Sequence, residues 1–171
     1  MNSSSGHGLA PNCPGFGGTP GGSRRRGFTV VELMIVVIIC GLLMTIAVPT
    51  YRTYILRAKD STAVADIGQI ELAISHYEVA NNGVLPPNLA AVNMDTKLDP
   101  WGNPYQYLNM ATIHGGAGVR KDRNLAPINT DYDLYSMGPD GRSLAPLTAS
   151  QSQDDIIRAN NGAYIGLASD Y

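Results

Sequence analysis

Residues 24–49 read RRRGFTVVELMIVVIICGLLMTIAVP. Three arginines come first, then 21 residues from Phe28 to Val48 whose only charged side chain is Glu32, then Pro49. Wound as a helix, that run is roughly 30 Å long, the thickness of a bilayer's hydrocarbon core, so it crosses a membrane once. Arg24, Arg25 and Arg26 mark the cytoplasmic end, which sends the C-terminal body to the extracytoplasmic side. Tyr51 and Tyr54 then fall where interfacial aromatic rings are favoured.

Glu32 is the anomaly in this segment. A carboxylate inside a membrane helix costs roughly 2.5–3.5 kcal/mol at the centre and less near the edge, so it calls for a partner or a function. The span offers no Lys, Arg or His to pair with it. A positive group at the same depth has to come from another chain, unless the side chain simply snorkels to the headgroups.

Beyond Pro49 the pattern becomes amphipathic. Ile67, Ile70, Ile74 and Tyr77 recur at steps of three and four, while Arg57, Lys59, Asp60, Asp66, Glu71 and Glu78 fall mostly elsewhere on the wheel. Asn81, Asn82 and Gly83 form a helix stop, with Pro86 and Pro87 close behind. Proline bends a helix without necessarily ending it, so Phe28 to about Ala80 reads as one kinked rod. The remaining residues carry short Tyr-rich runs, PYQYL at 104–108 and YDLYSM at 132–137, between Pro, Gly, Asn and Asp. A small antiparallel sheet laid on the isoleucine stripe buries both partners. The expected fold is α+β: a long kinked N-terminal helix, transmembrane in its first half, packed on a β-sheet head.

Composition narrows the function. The chain has 171 residues, 44% hydrophobic and 15% charged, enough for about one domain with a small core. Setting aside the three leading arginines leaves nine basic against fourteen acidic side chains, a net of −5. Nucleic acid is therefore not an expected partner, since phosphate binding needs a basic face. Residues 1–23 are dominated by Gly, Ser and Pro and read as disordered. Cys13 lies in that leader and Cys40 in the apolar run, so no disulfide is expected. His7, His76 and His114 are scattered, which gives no zinc pattern, and His76 falls on the solvated side of the helix. GGAGVRKDRN at 115–124 reads as an exposed flexible loop, Ser169 and Asp170 as a frayed tail, and Trp101 with the tyrosines as packing. No nucleophile elbow, phosphate loop or paired catalytic carboxylates are visible, and no enzymatic activity is expected.

The segment RRRGFTVVELMIVVII resembles the class III signal of type IV pilins and of the pseudopilins of type II secretion. The likeness extends to Gly41 and Pro49, which match the borders of the helix segment that loosens on assembly. DPWGNPYQY at 99–107 and YDLYSMGPDG at 132–141 are similar to the body of the major, G-type pseudopilin. No cysteine follows Cys40, unlike in pilins that close a C-terminal disulfide loop.

That resemblance implies cutting by a prepilin peptidase between Gly27 and Phe28, methylation of the new amine, and Glu32 meeting the N-terminal amine of a neighbouring subunit. The regions become a cleaved leader at 1–27, a membrane helix at 28–48, a stem at 49–82 and a head at 83–171. The implied function is a structural subunit of a periplasmic pseudopilus that drives secretion across the outer membrane. Its implied partners are copies of itself, minor pseudopilins, an inner-membrane platform and an assembly ATPase. Arg57, Asp66 and Glu71 are candidates for exposed pairs between subunits.

The resemblance further implies a calcium ion after SMGPDG. It matches the Met137 carbonyl, Asp140 and either Asp154 or Asp155 to ligands, with Asp155, before Ile156, fitting the motif better. Calcium takes six to eight oxygens, and the two ends of one loop supply carboxylates. The competing reading makes Asp140-Gly141 a plain turn and QDD, residues 153–155, a helix start. Two other functions fit the sequence: a type IV pilin for adhesion, motility or DNA uptake, and a secreted protein whose apolar run is removed after Thr45–Ala47.

Overall fold

The computed structural model describes residues 27–113 and 118–171; the Gly-rich leader, the three arginines, Cys13, His7 and His114 lie outside them. Packing divides the chain into a first unit that ends at Leu43 and a second from Met44 to Tyr171.

Helix α1 runs from Val30 to Ala80, with Pro49 inside it. Pro49 has no N–H to give to the helical ladder. Around it the hydroxyls of Thr50 and Thr53 donate to the carbonyls of Ile46 and Pro49, at 2.9 and 3.2 Å. At the far end Asn82 adopts φ 58° and the Gly83 N–H returns 2.8 Å to the Glu78 carbonyl. This left-handed cap is what the NNG sequence provides.

The second unit is built on a four-stranded antiparallel sheet in the order β1-β2-β3-β4: Gln106–Asn109, Tyr132–Ser136, Ile156–Ala159 and Tyr164–Leu167. The α+β fold is the one expected, and β1 and β2 arise from the two Tyr-rich runs. Ala63, Ile67, Ile70 and Ile74 of α1 are buried against Leu89, Tyr105, Tyr132, Leu134 and Ile156. Burying each isoleucine contributes roughly 1.5–3 kcal/mol. Successive residues of a strand face opposite ways, so Ile157 and Ala159 join a second cluster with Ile128, Leu147 and Ala168. The sheet is thus covered on both faces, and His76 is exposed on α1.

Four expectations are corrected here. QDD does not start a helix, because Ile156–Ala159 is a central strand with all four residues buried. Nor do Ser169 and Asp170 fray: the Ser169 N–H donates to the Gln153 carbonyl at 3.2 Å, and the Tyr171 hydroxyl reaches Asn160 at 2.8 Å. Asp66 and Glu71 are occupied within the subunit. Asp66 pairs with Lys97 at 2.8 Å and accepts from the Tyr105 hydroxyl at 3.0 Å, while Glu71 pairs with Arg158 at 2.8 Å. Finally, the 118–124 part of the supposed exposed loop contains Arg120, which is buried.

Arg158 ties helix to sheet. Its guanidinium meets Glu71 and both oxygens of Asp131, and stacks 4.0 Å from the Tyr132 ring centroid. Burial pushes the Asp131 carboxyl up, but the Arg158 bonds outweigh it and hold it below the usual aspartate range. Gly162, at φ 91°, leaves room for Glu71 to approach; a Cβ there would lie 2.3 Å from the Glu71 carboxylate oxygen.

Candidate functional site

The first site is the start of α1. Phe28 is 81% exposed, and the large apolar side chains from Val30 to Val48 are all exposed. Nothing in the described first unit covers them, and α1 is long and apolar enough there to cross a membrane. Gly41 has open space around its Cβ position, so no contact within the chain requires glycine. Glycine weakens a helix interior by roughly 0.8–1 kcal/mol relative to alanine, which makes residue 41 a soft point.

Glu32 is not without hydrogen bonds in the single chain. Its carboxylate accepts from the Thr29 N–H at 3.2 Å and from the Thr29 hydroxyl at 3.3 Å, and the Glu32 N–H returns 3.2 Å to the Thr29 hydroxyl oxygen. This is a capping box, Thr29 at the N-cap and Glu32 three residues on, and it also places a negative charge at the positive end of the helix. The T-x-x-E spacing was readable in the sequence, where the apolar run drew attention to the charge instead. The capping bonds satisfy amides but supply no counter-charge.

The second site is the turn and loop between β2 and β3. Asp99 and Asn103 of the DPWGN turn hold it from one side. The Asp99 carboxylate accepts from the Trp101 and Asn103 N–H groups and from the Ser136 hydroxyl, at 3.0, 2.8 and 2.5 Å. The Asn103 amide donates to the Gly138 carbonyl at 2.9 Å. So the two segments that carry the sequence resemblance are bonded to each other. Gly138, at φ 62°, backs onto Asp154: a Cβ there would lie 2.3 Å from the Asp154 carbonyl oxygen and 3.2 Å from its carboxyl carbon.

The candidate acids of the metal reading meet different surroundings. Asp140 is exposed and accepts the Arg142 N–H at 2.7 Å. Asp154 is the acid that adjoins the turn, and one of its oxygens is buried without a partner. Asp155, favoured by the motif, is fully buried and its Oδ2 is taken by Arg120 and by the Ser143 hydroxyl, the latter at 2.6 Å. Burial pushes its carboxyl up to about 6, against the pull of the Ser143 and Arg120 bonds. No group of three or more His, Cys, Asp or Glu side chains is placed to hold a metal among the described residues. Asp155 Oδ1 is likewise buried without a partner, so two neighbouring carboxylates each keep one oxygen unsatisfied, against the six to eight oxygens calcium takes.

Arg120 is a buried charge beside this site that the sequence does not announce. It sits in a run of Gly, Lys, Arg, Asp and Asn that reads as solvent-facing, and its partners lie 13 to 35 positions away. No local pattern announces such a residue.

The model of the prokaryotic N-terminal methylation motif matches residues 22–48. The chain is 33% identical to the type II secretion system core protein G of Escherichia coli K12, over 69% of this chain and 84% of that protein. It is 31% identical to the protein of the same name from Pseudomonas aeruginosa, over 70% of this chain and 87% of that protein. The type IV major fimbrial protein FimA of Dichelobacter nodosus is 48% identical, but over 52 residues and 30% of this chain. No solved structure matches. With a helix start that carries the methylation motif, a sheet head behind it and relatives aligned over most of both chains, the protein belongs to the type II secretion system core protein G family.

Proposed function

We infer that this protein is a structural subunit, processed between Gly27 and Phe28, that polymerises through its N-terminal helix into a pseudopilus serving type II secretion. The observation that carries this reading is the bare apolar stretch of α1, exposed from Val30 to Val48 and headed by one carboxylate. In the membrane lipid covers it; in a filament the same stretch of other copies does. Glu32 then exchanges the Thr29 bonds for the ammonium of a neighbour's Phe28. Two charges desolvated together attract strongly, and an unpaired one is costly, so the pair fixes axial register.

The head stands on the periplasmic side, and the assembly ATPase, membrane platform and minor pseudopilins act on the stem and tip. The FimA likeness supports a second reading, a surface pilin, but it leaves most of the head unmatched. A removed signal peptide is disfavoured because α1 is helical through Thr45–Ala47 and onward, where a cut needs extended chain.

Mass spectrometry of the mature protein tests processing: a methylated Phe28 is expected, and a start near Val48 contradicts it. Deleting the gene separates the two filament readings. Loss of exoprotein secretion with unchanged surface pili supports the pseudopilus, and the converse supports the pilin.

A further inference from the structure

Just past the apolar stretch, α1 changes its charge twice. From Pro49 to Lys59 every charged residue is basic, Arg52, Arg57 and Lys59, and from Asp60 to Ala80 every one is acidic. No ion pair joins the three cations to a carboxylate among the described residues. Lys and Arg are normally sparse beside the extracytoplasmic end of a span, so three of them here call for an anionic partner.

Two of the three stand beside a groove of about 420 Å³. Tyr51, Ile55 and Leu56 line it from the helix, Trp101 and Pro139 line it from the two turns of the head, and Arg52 and Lys59 complete it. Tyr51, Ile55 and Leu56 are exposed, and the Lys59 ammonium stands 5.9 Å over the Trp101 ring. The acids Asp60 and Asp154 line the adjoining groove, and Arg57 lines another with Thr50, Thr53 and Tyr54. This groove is therefore apolar with only positive charge at its edge.

We propose that it is an interfacial lipid site, in which Arg52 and Lys59 take the phosphate of an anionic phospholipid of the extracytoplasmic leaflet while Tyr51, Ile55, Leu56 and Trp101 rest on the boundary between headgroups and acyl chains. Position along the helix agrees. Arg52 leaves α1 roughly 6 Å beyond Val48 by helical rise, and helical side chains lean toward the N-terminus, here toward the bilayer. Headgroups fill roughly the first 5–8 Å outside the hydrocarbon, and Pro49 allows the helix to bend just before the groove. Aromatic and aliphatic side chains beside Lys and Arg make the surface that such a boundary holds. The site would keep the head of a single subunit on the membrane.

Trp101 is the chain's only tryptophan, so its fluorescence reads this groove alone. The full chain is reconstituted at one copy per nanodisc in mixed phosphatidylcholine and phosphatidylglycerol, with bromine near the top of the acyl chains of one lipid or the other. Brominated phosphatidylglycerol is expected to quench Trp101 at least about twofold more than the same amount of brominated phosphatidylcholine. Arg52→Gln combined with Lys59→Gln is expected to abolish that preference, whereas Arg57→Gln, outside the groove, keeps it. Equal quenching by the two lipids in the wild type, or a preference that survives the double variant, overturns the proposal. So does an unquenched Trp101 together with cross-linking of Lys59 to a second copy when two share a disc, since the groove then receives protein. If the double variant does not fold, the wild-type comparison decides. The proposal rests on α1 crossing a membrane: a chain that does not enter discs breaks that reading, while an inserted chain with no lipid preference breaks only this one.

Discussion

Two stretches of α1 meet opposite fates. From Val30 to Val48 nearly every residue is apolar and every one is exposed. From Ala63 to Ile74 the residues Ala63, Ile67, Ile70 and Ile74 make one apolar stripe between 0 and 1% exposed, while Leu72, off the stripe, is left outside at 59%. Residues that are apolar all round a helix need a surrounding that the chain itself does not provide, whether lipid or other helices. A single stripe needs only one face, and the sheet supplies it. The lesson is that partner and pattern correspond: where the chain contains the partner the pattern is one-sided.

Substitution along α1 should expose this contrast most strongly. Ile70→Ala is expected to destabilise the head by about 2–5 kcal/mol, read by thermal unfolding, because it empties a filled position in the core. Ile38→Ala, the same change in the bare stretch, should leave the head within about 0.5 kcal/mol of wild type. Equal losses at both positions would break the distinction.

Much of this was legible. The arginines, the apolar run, Glu32 and Pro49 fix one membrane-length helix, and the isoleucine spacing fixes the face that meets the sheet. The Tyr-rich runs announce β1 and β2 because alternating aromatic and polar residues suit a pleated surface. The pair β3 and β4 was harder: Gln153, Asp154 and Asp155 resemble a helix start, and only the pairing of Ile156–Ala159 with strands on both sides makes it central. Buried charges were the least legible. Arg120 and Glu71 read as surface residues, and what removes them from water is a partner far away in sequence.

That charge network offers the next measure. Glu71→Ala should cost about 1–3 kcal/mol, since it leaves Arg158, only 3% exposed, with an unfilled donor. A neutral result would return Glu71 to the surface role the sequence implied. In the other stretch, Thr29→Ala removes the cap of α1, worth about 1 kcal/mol locally. Faster hydrogen exchange at the first amides of α1, with no change in the melting of the head, is the expected outcome.

The smallest effect concerns acid. Asp131 is held below the ordinary aspartate range by Arg158, so its contribution is complete above about pH 4 and is lost as pH falls through its lower folded value. Asp131→Asn should therefore flatten the decline in melting temperature below about pH 4. An unchanged slope would remove Asp131 from the staple.

The central claim is that Glu32 serves assembly through its charge, beyond its part in capping the helix. Glu32→Gln separates the two, because glutamine also completes a capping box but carries no charge. Filament yield of this variant, measured beside Glu32→Ala in cells that process both, is the most direct test. The account predicts that both variants insert and are processed but polymerise poorly; normal filaments from Glu32→Gln would contradict it.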